Sequence, residues 1–303
     1  MKPQKISIVG CGRVGTALAV FLSRAGYEIA GVASRTHSSA KKTVKAVLAQ
    51  GGSEAIKIYN SPAESAMAGD IVFITTPDHL INSVCSDISA ESSVKIADKT
   101  IFHCSGALSS CILSSAADKG ANTGSIHPLQ SFAPYAQDQK SPFTGINVSV
   151  EGNEKALATG KMLIQDLGSN YFTIPTESKT LYHAAAVVAS NYLVTLENFA
   201  LELLKEADIS EHQGYEILEP LIQGTLANIK NRGSVAALTG PVARGDAQIV
   251  EKHIRDIDEK MPEFSRLYRI MGQYTLRLAE KREELDQVSI EGLTEIFTDQ
   301  DNG

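Results

Sequence analysis

A lysine, a histidine and an asparagine lie close together in the middle of the chain, and their side chains suit acid–base chemistry. Lys179, His183 and Asn191 occur in the segment Glu177–Asn191, which is otherwise mostly small and apolar. In an α-helix, at about 100° per residue, these three and Ser190 fall within roughly 120° of arc. Such a lysine can donate a proton to a developing alkoxide, and the other two side chains can position a carbonyl or a carboxylate. The alternative is hydrogen bonding between helices, with Lys179 solvated in the first turn.

A second candidate group lies in the segment Ala237–Asp246. Gly240-Pro241 breaks the chain and Asp246 is typical of a helix N-cap, which predicts a tight loop at a helix start. An arginine on that loop can bind a substrate carboxylate through two parallel hydrogen bonds. The candidate substrate-binding residues here are Thr239 and Arg244, although Arg244 could instead pair only with Asp246.

The first glycines of the chain form a dinucleotide fingerprint in its proper context. Residues 6–16 read Ile-Ser-Ile-Val-Gly-Cys-Gly-Arg-Val-Gly-Thr, an apolar strand that ends in Gly-x-Gly-x-x-Gly. Gly10 permits the tight turn, Gly12 leaves room for a pyrophosphate, and Gly15 lets the next helix pack closely. The phosphates then face the N–H groups at the start of a helix predicted over Val14–Arg24, whereas the alternative is a glycine turn without a ligand. The cofactor-binding residues predicted here are Gly10, Cys11, Gly12, Arg13, Val14 and Gly15.

The end of the second strand indicates which dinucleotide is bound. NAD sites usually place an acidic residue about 20 residues beyond the glycines, but no Asp or Glu occurs between Glu28 and Glu54. The predicted strand Ile29–Ala33 is followed instead by an arginine and hydroxyl side chains, with Lys41 and Lys42 nearby. A guanidinium suits a 2′-phosphate, so the sequence predicts NADP(H), against the alternative of a solvated basic loop. The residues assigned to the 2′-phosphate end are Ser34, Arg35 and Thr36.

Three further loops follow predicted strands and carry polar residues. In doubly wound sheets the ligand lies beyond the carboxyl ends of the strands, so each loop could line a nicotinamide pocket. Taken singly, each is also ordinary turn chemistry, because Pro, Ser and Asp favour turns. The loops begin at Thr75, His103 and His127. They add Thr75, Thr76, Pro77, Cys104, Ser105 and Gly106 to the predicted cofactor site and His127 to the substrate site.

Strand-like and helix-like segments alternate up to residue 174, which predicts a Rossmann doubly wound, mostly parallel sheet of the α/β class. A capping box at Ser61–Glu64 predicts a helix start in this part of the chain. After Pro175, helical periodicity dominates to the end of the chain, with one helix predicted from Ser210 to about Asn231 and a last short one from Ser289. The domains predicted are residues 1–174, binding NADP, and residues 175–303, an all-α domain for substrate binding and dimerisation. The predicted strands are Ile6–Val9, Ile29–Ala33, Ile56–Tyr59, Ile71–Thr75, Thr100–Cys104, Gly124–Ile126, Ile146–Val150 and Tyr171–Ile174.

Composition is that of an ordinary globular enzyme. The 303 residues are 43% hydrophobic and 21% charged, and the net charge of −7 argues against a general nucleic-acid role. The chain runs directly into its first strand, so no signal peptide is expected. The most apolar stretch, Ala184–Leu196, contains Asn191 and is expected to be too short to span a bilayer. No metal site or disulfide framework is expected, and reduced thiols in the cytoplasm are the simplest account of Cys11, Cys85, Cys104 and Cys111.

At these residues the chain resembles a family described as a Rossmann-like domain followed by a domain of unknown function. The wider group includes ketopantoate reductase, pyrroline-5-carboxylate reductase and β-hydroxyacid dehydrogenases. The most specific segments are His103–Ala107, His127–Phe132, Tyr182–Asn191 and Leu238–Asp246. The resemblance implies an NADP-binding domain, a 6-phosphogluconate-dehydrogenase-like helical domain and a homodimer built through the helices.

The resemblance also implies a role for Lys179. In β-hydroxyacid dehydrogenases and ketopantoate reductase the interdomain helix carries a catalytic lysine with an asparagine four residues on. Lys179 matches that lysine, but His183 occupies the asparagine position and Asn191 comes later.

The sequence therefore predicts an NADPH-dependent reductase of a small carbonyl compound that bears a carboxylate, without nucleic acid or membrane as partner. Lys179, His183 and Asn191 are the predicted catalytic residues. Two alternatives stay open: a cyclic imine reductase of the pyrroline-5-carboxylate reductase type, and a non-catalytic NADP(H)-binding redox sensor or regulatory protein.

Overall fold

The computed structural model describes residues 4–52, 54–137 and 139–298, and the chain forms two compact units. The first comprises Met1–Ala189 and the second Ser190–Gly303. The helix that follows the last strand, and with it Lys179 and His183, belongs to the first unit. The predicted domain boundary at residue 174 stays a prediction.

The first unit is built on one eight-stranded sheet with the order β3-β2-β1-β4-β5-β6-β7-β8. All neighbouring strands pair in parallel except β6 and β7, which are antiparallel. The sequence prediction of a mostly parallel α/β sheet is confirmed, and each predicted strand is present with ends shifted by a few residues. The strands are β1 Lys5–Val9, β2 Glu28–Ala33, β3 Lys57–Tyr59, β4 Ile71–Ile74, β5 Thr100–His103, β6 Asn122–Pro128, β7 Asn147–Gly152 and β8 Asn170–Thr173.

Helices cover both faces of the sheet, and their starts follow the local sequence. Ser61 accepts a hydrogen bond from the N–H of Glu64 and Pro62 occupies the first turn, as the capping signals predict. Asn153 caps another helix by accepting from the N–H of Ala156. The helices of this unit are α1 Arg13–Arg24, α2 His37–Leu48, α3 Pro62–Ala68, α4 Asp78–Ala90, α5 Ser114–Ala117, α6 Glu154–Asp166 and α7 Lys179–Val187.

The central strands are buried on both sides, which makes their carboxyl ends a rigid platform. Every residue of β4 and of β5 is buried. Phe73 and Phe102 stack across these two strands with ring centroids 5.5 Å apart. Side chains that follow these strands therefore start from well-defined positions.

The second unit is helical in the residues described. Phe199 stacks on Phe264 with ring centroids 4.6 Å apart and anchors the first of its helices. The helix predicted from Ser210 to about Asn231 is present, and it continues beyond a non-helical residue, Gly233 at φ 77°. The last helix begins before the predicted Ser289, because Asp286 accepts from the Ser289 N–H. The helices are α8 Leu193–Lys205, α9 Glu211–Ala237, α10 Ala247–Lys260, α11 Pro262–Glu280 and α12 Gln287–Thr298.

One helical run is long and apolar enough to cross a membrane, judged by length and composition alone. It extends from Thr176 to Lys205, with a mean hydropathy of 1.2 and 6% of its apolar window buried. This run is longer than the apolar stretch Ala184–Leu196 named from the sequence, because the helix continues at both ends of that stretch. A single run of this kind is weak evidence for a membrane span, and it contains Asn191 and Glu197.

Candidate active site

The glycine-rich turn after β1 is closely packed where the fingerprint requires it and open where a ligand would lie. Gly10 adopts φ 108°, and its N–H donates to the carbonyl of Ala33 at 2.8 Å. A Cβ on Gly15 would lie 2.0 Å from the Gly10 carbonyl oxygen, so only glycine fits there. A Cβ on Gly12 would meet nothing within 4 Å. The start of α1 thus has free space in front of N–H groups that lack intrahelical partners.

The other residues of the predicted phosphate loop have distinct surroundings. Cys11 is buried, and its thiol donates to the Ala33 carbonyl at 3.7 Å. Burial raises the pKa of this thiol. Arg13 is exposed and donates to the carbonyl of Phe132 at 3.4 Å, while Val14 packs against the core.

The predicted 2′-phosphate end lies at the carboxyl end of β2. Ser34 is half-buried, whereas Arg35 and Thr36 are exposed. Thr36 does not cap α2 with its side chain; its hydroxyl donates to Ser39 Oγ at 2.7 Å. Arg35 therefore stands on an open surface next to two hydroxyl groups.

The loop after β4 holds the glycine turn in place. The Thr75 hydroxyl donates to the carbonyl of Gly10 at 2.5 Å, and the Thr75 N–H donates to Val9 at 2.8 Å. Thr76 Oγ1 is buried and has no hydrogen-bond partner among the residues described. Pro77 is exposed and precedes α4.

The loop after β5 is fixed by the side chain of Ser105. Its hydroxyl donates to Asp78 at 2.7 Å and accepts from the N–H groups of Ala107 and Leu108 at 3.2 and 3.0 Å. Burial raises the pKa of the preceding Cys104 to about 12, which keeps this side chain a neutral thiol. The two neighbouring loops at this edge of the sheet are therefore joined through one serine.

Lys179 is buried against this platform. It lies at the start of α7, is 1% exposed, and donates from Nζ to Ser125 Oγ on β6 at 2.6 Å. Burial lowers its pKa to about 8, while the carboxylate of Glu151 acts in the opposite direction. The alternative that Lys179 is solvated in the first turn of its helix is therefore wrong, because the side chain points inwards to the sheet.

Glu151 lies opposite Ser125 in the antiparallel pair and holds the surroundings of Lys179 together. It is 2% exposed. Its carboxylate accepts from the Ser110 N–H and hydroxyl at 2.5 and 2.8 Å, and from the Thr176 hydroxyl at 3.2 Å. One buried carboxylate thus connects the segment after β5 to the segment that leads into α7.

A histidine pair lies beside the lysine. Nδ1 of His127 lies 2.8 Å from the Tyr182 hydroxyl, and the ring centroids of His127 and His183 are 6.1 Å apart. A Cβ on Gly106 would lie 2.7 Å from His127 Nε2 and 2.5 Å from His183 Cδ2. The structure therefore brings together Gly106 from the loop after β5, His127 from β6, and His183 and Lys179 from α7.

His103 has a structural role under the same loop. It is fully buried and its Nδ1 accepts from the Ser105 N–H at 3.2 Å. Burial and the positive charge of Lys179 lower its pKa to about 4. The ring is therefore neutral at physiological pH.

Three predicted site residues lie in the second unit. Asn191 is exposed within a π-helical turn, Val188–Tyr192, and this turn changes the helical arc that was assumed for Asn191 and Ser190. Thr239 and Arg244 are exposed on the loop before α10. Asp246 caps α10 by accepting from the Ile249 N–H at 3.2 Å, and among the described residues it forms no ion pair with Arg244.

Sequence reasoning missed the partners of Lys179 and His127. Ser125, Glu151 and Tyr182 were not assigned, although a glutamate within the apolar strand Asn147–Gly152 is a signal of a buried charge. Among the described residues, no group of three or more His, Cys, Asp or Glu could hold a metal ion.

Two family models match the chain. Residues 2–128 match a Rossmann-like domain, and residues 146–275 match a domain of unknown function, DUF2520. No curated protein sequence matches at a significant level.

Solved structures share the fold over nearly the whole chain. A protein from Thermotoga maritima is 27% identical, with 92% of this chain and 100% of that chain covered and a TM-score of 0.68. A Bacteroides fragilis protein assigned as an NADP oxidoreductase is 22% identical, with 91% and 98% covered and a TM-score of 0.72. A pyrroline carboxylate reductase from Plasmodium falciparum, solved with NADP bound, is 12% identical, with 98% and 100% covered and a TM-score of 0.56. The chain thus matches a Rossmann-like domain over residues 2–128 and DUF2520 over residues 146–275, on a fold shared with solved structures described as NADP oxidoreductases and pyrroline-5-carboxylate reductases.

Proposed function

We propose that the chain is an NADP(H)-dependent oxidoreductase that reduces a small carbonyl compound bearing a carboxylate. The observation that carries this proposal is the buried Lys179. Its pKa of about 8 suits a proton donor near neutral pH. It lies in the same compact unit as the glycine-rich turn, beside strand β6 and the segment that follows β5.

The residues present fit a dinucleotide phosphate. The space in front of Gly12 leaves the start of α1 open to a pyrophosphate. The unpartnered Thr76 Oγ1 offers a further hydrogen bond in the loop after β4. Arg35 supplies a guanidinium where NAD sites carry an acid, and a relative of the same fold was solved with NADP bound.

In the proposed mechanism a side chain of this protein supplies the proton that the substrate oxygen receives. A bound reduced nicotinamide would supply a hydride to the substrate carbon. Lys179 holds its proton on Nζ against Ser125 Oγ and donates it to the substrate oxygen as negative charge develops there. Burial then favours the neutral amine that remains. Thr239 and Arg244 are proposed to bind the carboxylate, and His183 and Asn191 to position the substrate.

Imine reduction is the second candidate. The solved structures of this fold include pyrroline-5-carboxylate reductases, imine reductases and a reductive aminase. An imine nitrogen is already basic, so its reduction needs less from a lysine acid.

The deciding experiment is NADPH oxidation against a panel of 2-oxo acids and cyclic imines. Turnover of an oxo acid supports the carbonyl proposal, and turnover of cyclic imines alone supports the second candidate. Tight NADPH binding without any turnover would favour a sensor or regulatory protein.

Arg35→Ala is expected to weaken NADPH binding by about 10- to 150-fold and to leave NADH binding nearly unchanged. A charged hydrogen bond to phosphate contributes about 1.5–3 kcal/mol, and only NADPH carries the 2′-phosphate. Fluorescence titration of both cofactors measures the two affinities. Arg24→Ala is the control, because Arg24 lies at the end of α1 that is far from the glycine turn. Equal losses for both cofactors would contradict the 2′-phosphate assignment.

We also propose a homodimer through the exposed apolar side chains of α9. Of its 27 residues only Gly214 is buried, while Leu221 is 66% and Tyr215 50% exposed. Glu216, Glu219 and Lys230 are interspersed, which favours another protein surface over lipid. Twofold dimers are the commonest soluble assembly, so a second copy is the proposed partner.

Sedimentation velocity should accordingly give a dimer for the parent chain. Leu221→Glu should shift the protein towards monomer, because it places a charge within the apolar surface. A parent that sediments as a monomer at micromolar concentration contradicts the dimer.

A further inference from the structure

We propose that His127 acts as a neutral hydrogen-bond donor to the substrate oxygen, and that Tyr182 is the positioning residue that selects its tautomer. This inference rests on the proposed function, because it assigns how the same site stabilises the oxygen that Lys179 protonates. Tyr182 would act only through His127.

Tyr182 is held firmly enough to orient its neighbour. Its hydroxyl lies 2.8 Å from His127 Nδ1, and the two rings meet edge to face with centroids 5.6 Å apart. Phe172 packs on the same ring at 5.8 Å, and Lys179 Nζ lies 6.0 Å from its centre. The hydroxyl therefore has little freedom to leave the imidazole.

The charges around His127 keep the ring neutral. Burial is the largest cause that lowers its pKa to about 4, followed by Lys179 and His183, whereas Asp78 acts weakly in the opposite direction. Burial also raises the pKa of Tyr182, so the phenol keeps its proton. A phenol is the better donor and a neutral imidazole nitrogen the better acceptor, so Tyr182 donates to Nδ1 and the ring proton resides on Nε2.

The Nε2 side of His127 faces the loop after β5. A Cβ on Gly106 would lie 2.7 Å from Nε2, so the absence of a side chain there keeps this edge of the ring clear. A neutral N–H fixed in this way stabilises negative charge on an oxygen. Neutral imidazole is too weak an acid to give up its proton. His127 therefore only donates a hydrogen bond, and Lys179 transfers the proton.

The second unit contains a pair of the same geometry that serves as an internal control. His253 Nδ1 lies 2.8 Å from the Tyr268 hydroxyl, and the ring centroids are 6.2 Å apart. Burial raises the pKa of Tyr268, as it does that of Tyr182. Tyr268→Phe therefore removes an equivalent hydroxyl without altering either residue of the His127–Tyr182 pair.

The test is the ¹⁵N chemical shifts of the His127 ring nitrogens, which identify the protonated one without any substrate. The parent is expected to show one neutral tautomer, with Nε2 protonated, from about pH 5.5 to 8.5. Tyr182→Phe keeps the aromatic ring and removes only the hydroxyl, so a mixture of tautomers is expected. Tyr268→Phe should leave the His127 signals unchanged. A proton on Nδ1 in the parent, or an unaltered tautomer in Tyr182→Phe, would overturn the positioning role.

Kinetics test the catalytic half separately. His127→Ala is expected to lower kcat by about 10²- to 10³-fold, the usual effect of removing an oxyanion donor. Tyr182→Phe should lower kcat by a smaller factor, about tenfold, with NADPH affinity unchanged. If Tyr182→Phe shows mixed tautomers but a kcat within twofold of the parent, the catalytic part of the proposal is wrong. Correct tautomers without turnover of any carbonyl or imine would instead count against the proposed function.

Discussion

Lys179→Met is expected to lower kcat by about 10²- to 10⁴-fold while folding and NADPH affinity stay intact. Methionine fills the buried space that the lysine stem occupies but carries no proton for the developing alkoxide. Stopped-flow measurement of NADPH oxidation gives the chemical step directly. The parent should also lose kcat/KM as the pH rises through about 8, because the Lys179 proton is then lost. The variant should lack this limb of the pH profile.

Lys99→Met is the matched control for this variant. Lys99 is also buried, at 7% exposure, and donates to the Gly69 carbonyl at 2.6 Å from the amino end of β5. Burial lowers its pKa as well. The control therefore loses a buried ammonium group far along the strand from the proposed chemistry. If Lys179→Met turns over within a few-fold of the parent, Lys179 is not the acid, and His183 becomes the next residue to replace.

Alanine at Gly12 and at Gly15 should have opposite consequences, although only two residues separate them. Gly15→Ala is expected to destabilise the fold by about 3 kcal/mol or more, because its Cβ would lie 2.0 Å from the Gly10 carbonyl oxygen and 2.4 Å from Thr75 Oγ1. Gly12→Ala should keep the stability of the parent, because its Cβ meets no protein atom within 4 Å.

The affinity for NADPH, unlike the stability, should fall in Gly12→Ala. Gly12→Ala places a methyl group where a pyrophosphate would approach, so NADPH affinity should fall by at least about 100-fold, equal to about 2.8 kcal/mol. Urea unfolding and calorimetric titration measure the two quantities on the same samples. Gly26→Ala is the control outside the turn, at a glycine with φ 95° and open surroundings. Undiminished NADPH affinity in Gly12→Ala would place the pyrophosphate elsewhere.

Local patterns were sufficient to predict the sheet and the glycine turn. Apolar runs such as Ile71–Ile74 are bounded by turn residues, and both their strand character and their parallel pairing follow from alternation with helices. The capping residues Ser61 and Asp246 marked helix starts correctly. These signals act over a few residues, so a single sequence contains them in full.

The arrangement around Lys179 could not be predicted in the same way. Its hydrogen bond to Ser125 joins residues 54 positions apart, and Tyr182 and His127 are 55 apart. Only the antiparallel pairing of β6 with β7 brings Glu151 opposite Ser125. The π-helical turn at Val188–Tyr192 likewise escaped notice, because its alanine- and valine-rich sequence fits an ordinary α-helix. Such contacts depend on the register of distant strands rather than on local composition.

The pairing of β6 with β7 has a consequence for dissecting the protein. The Rossmann-like match ends at residue 128 and the second match starts at residue 146, so the connection between them looks like a natural place to cut. Yet β7 and β8 complete the sheet from beyond that connection. A fragment ending near residue 140 would expose the backbone of β6 as an unprotected edge and leave the donors of Ser110 without their carboxylate. Expressed alone, the amino-terminal fragment should therefore aggregate, and the two matched segments should be inherited and engineered as one folding unit.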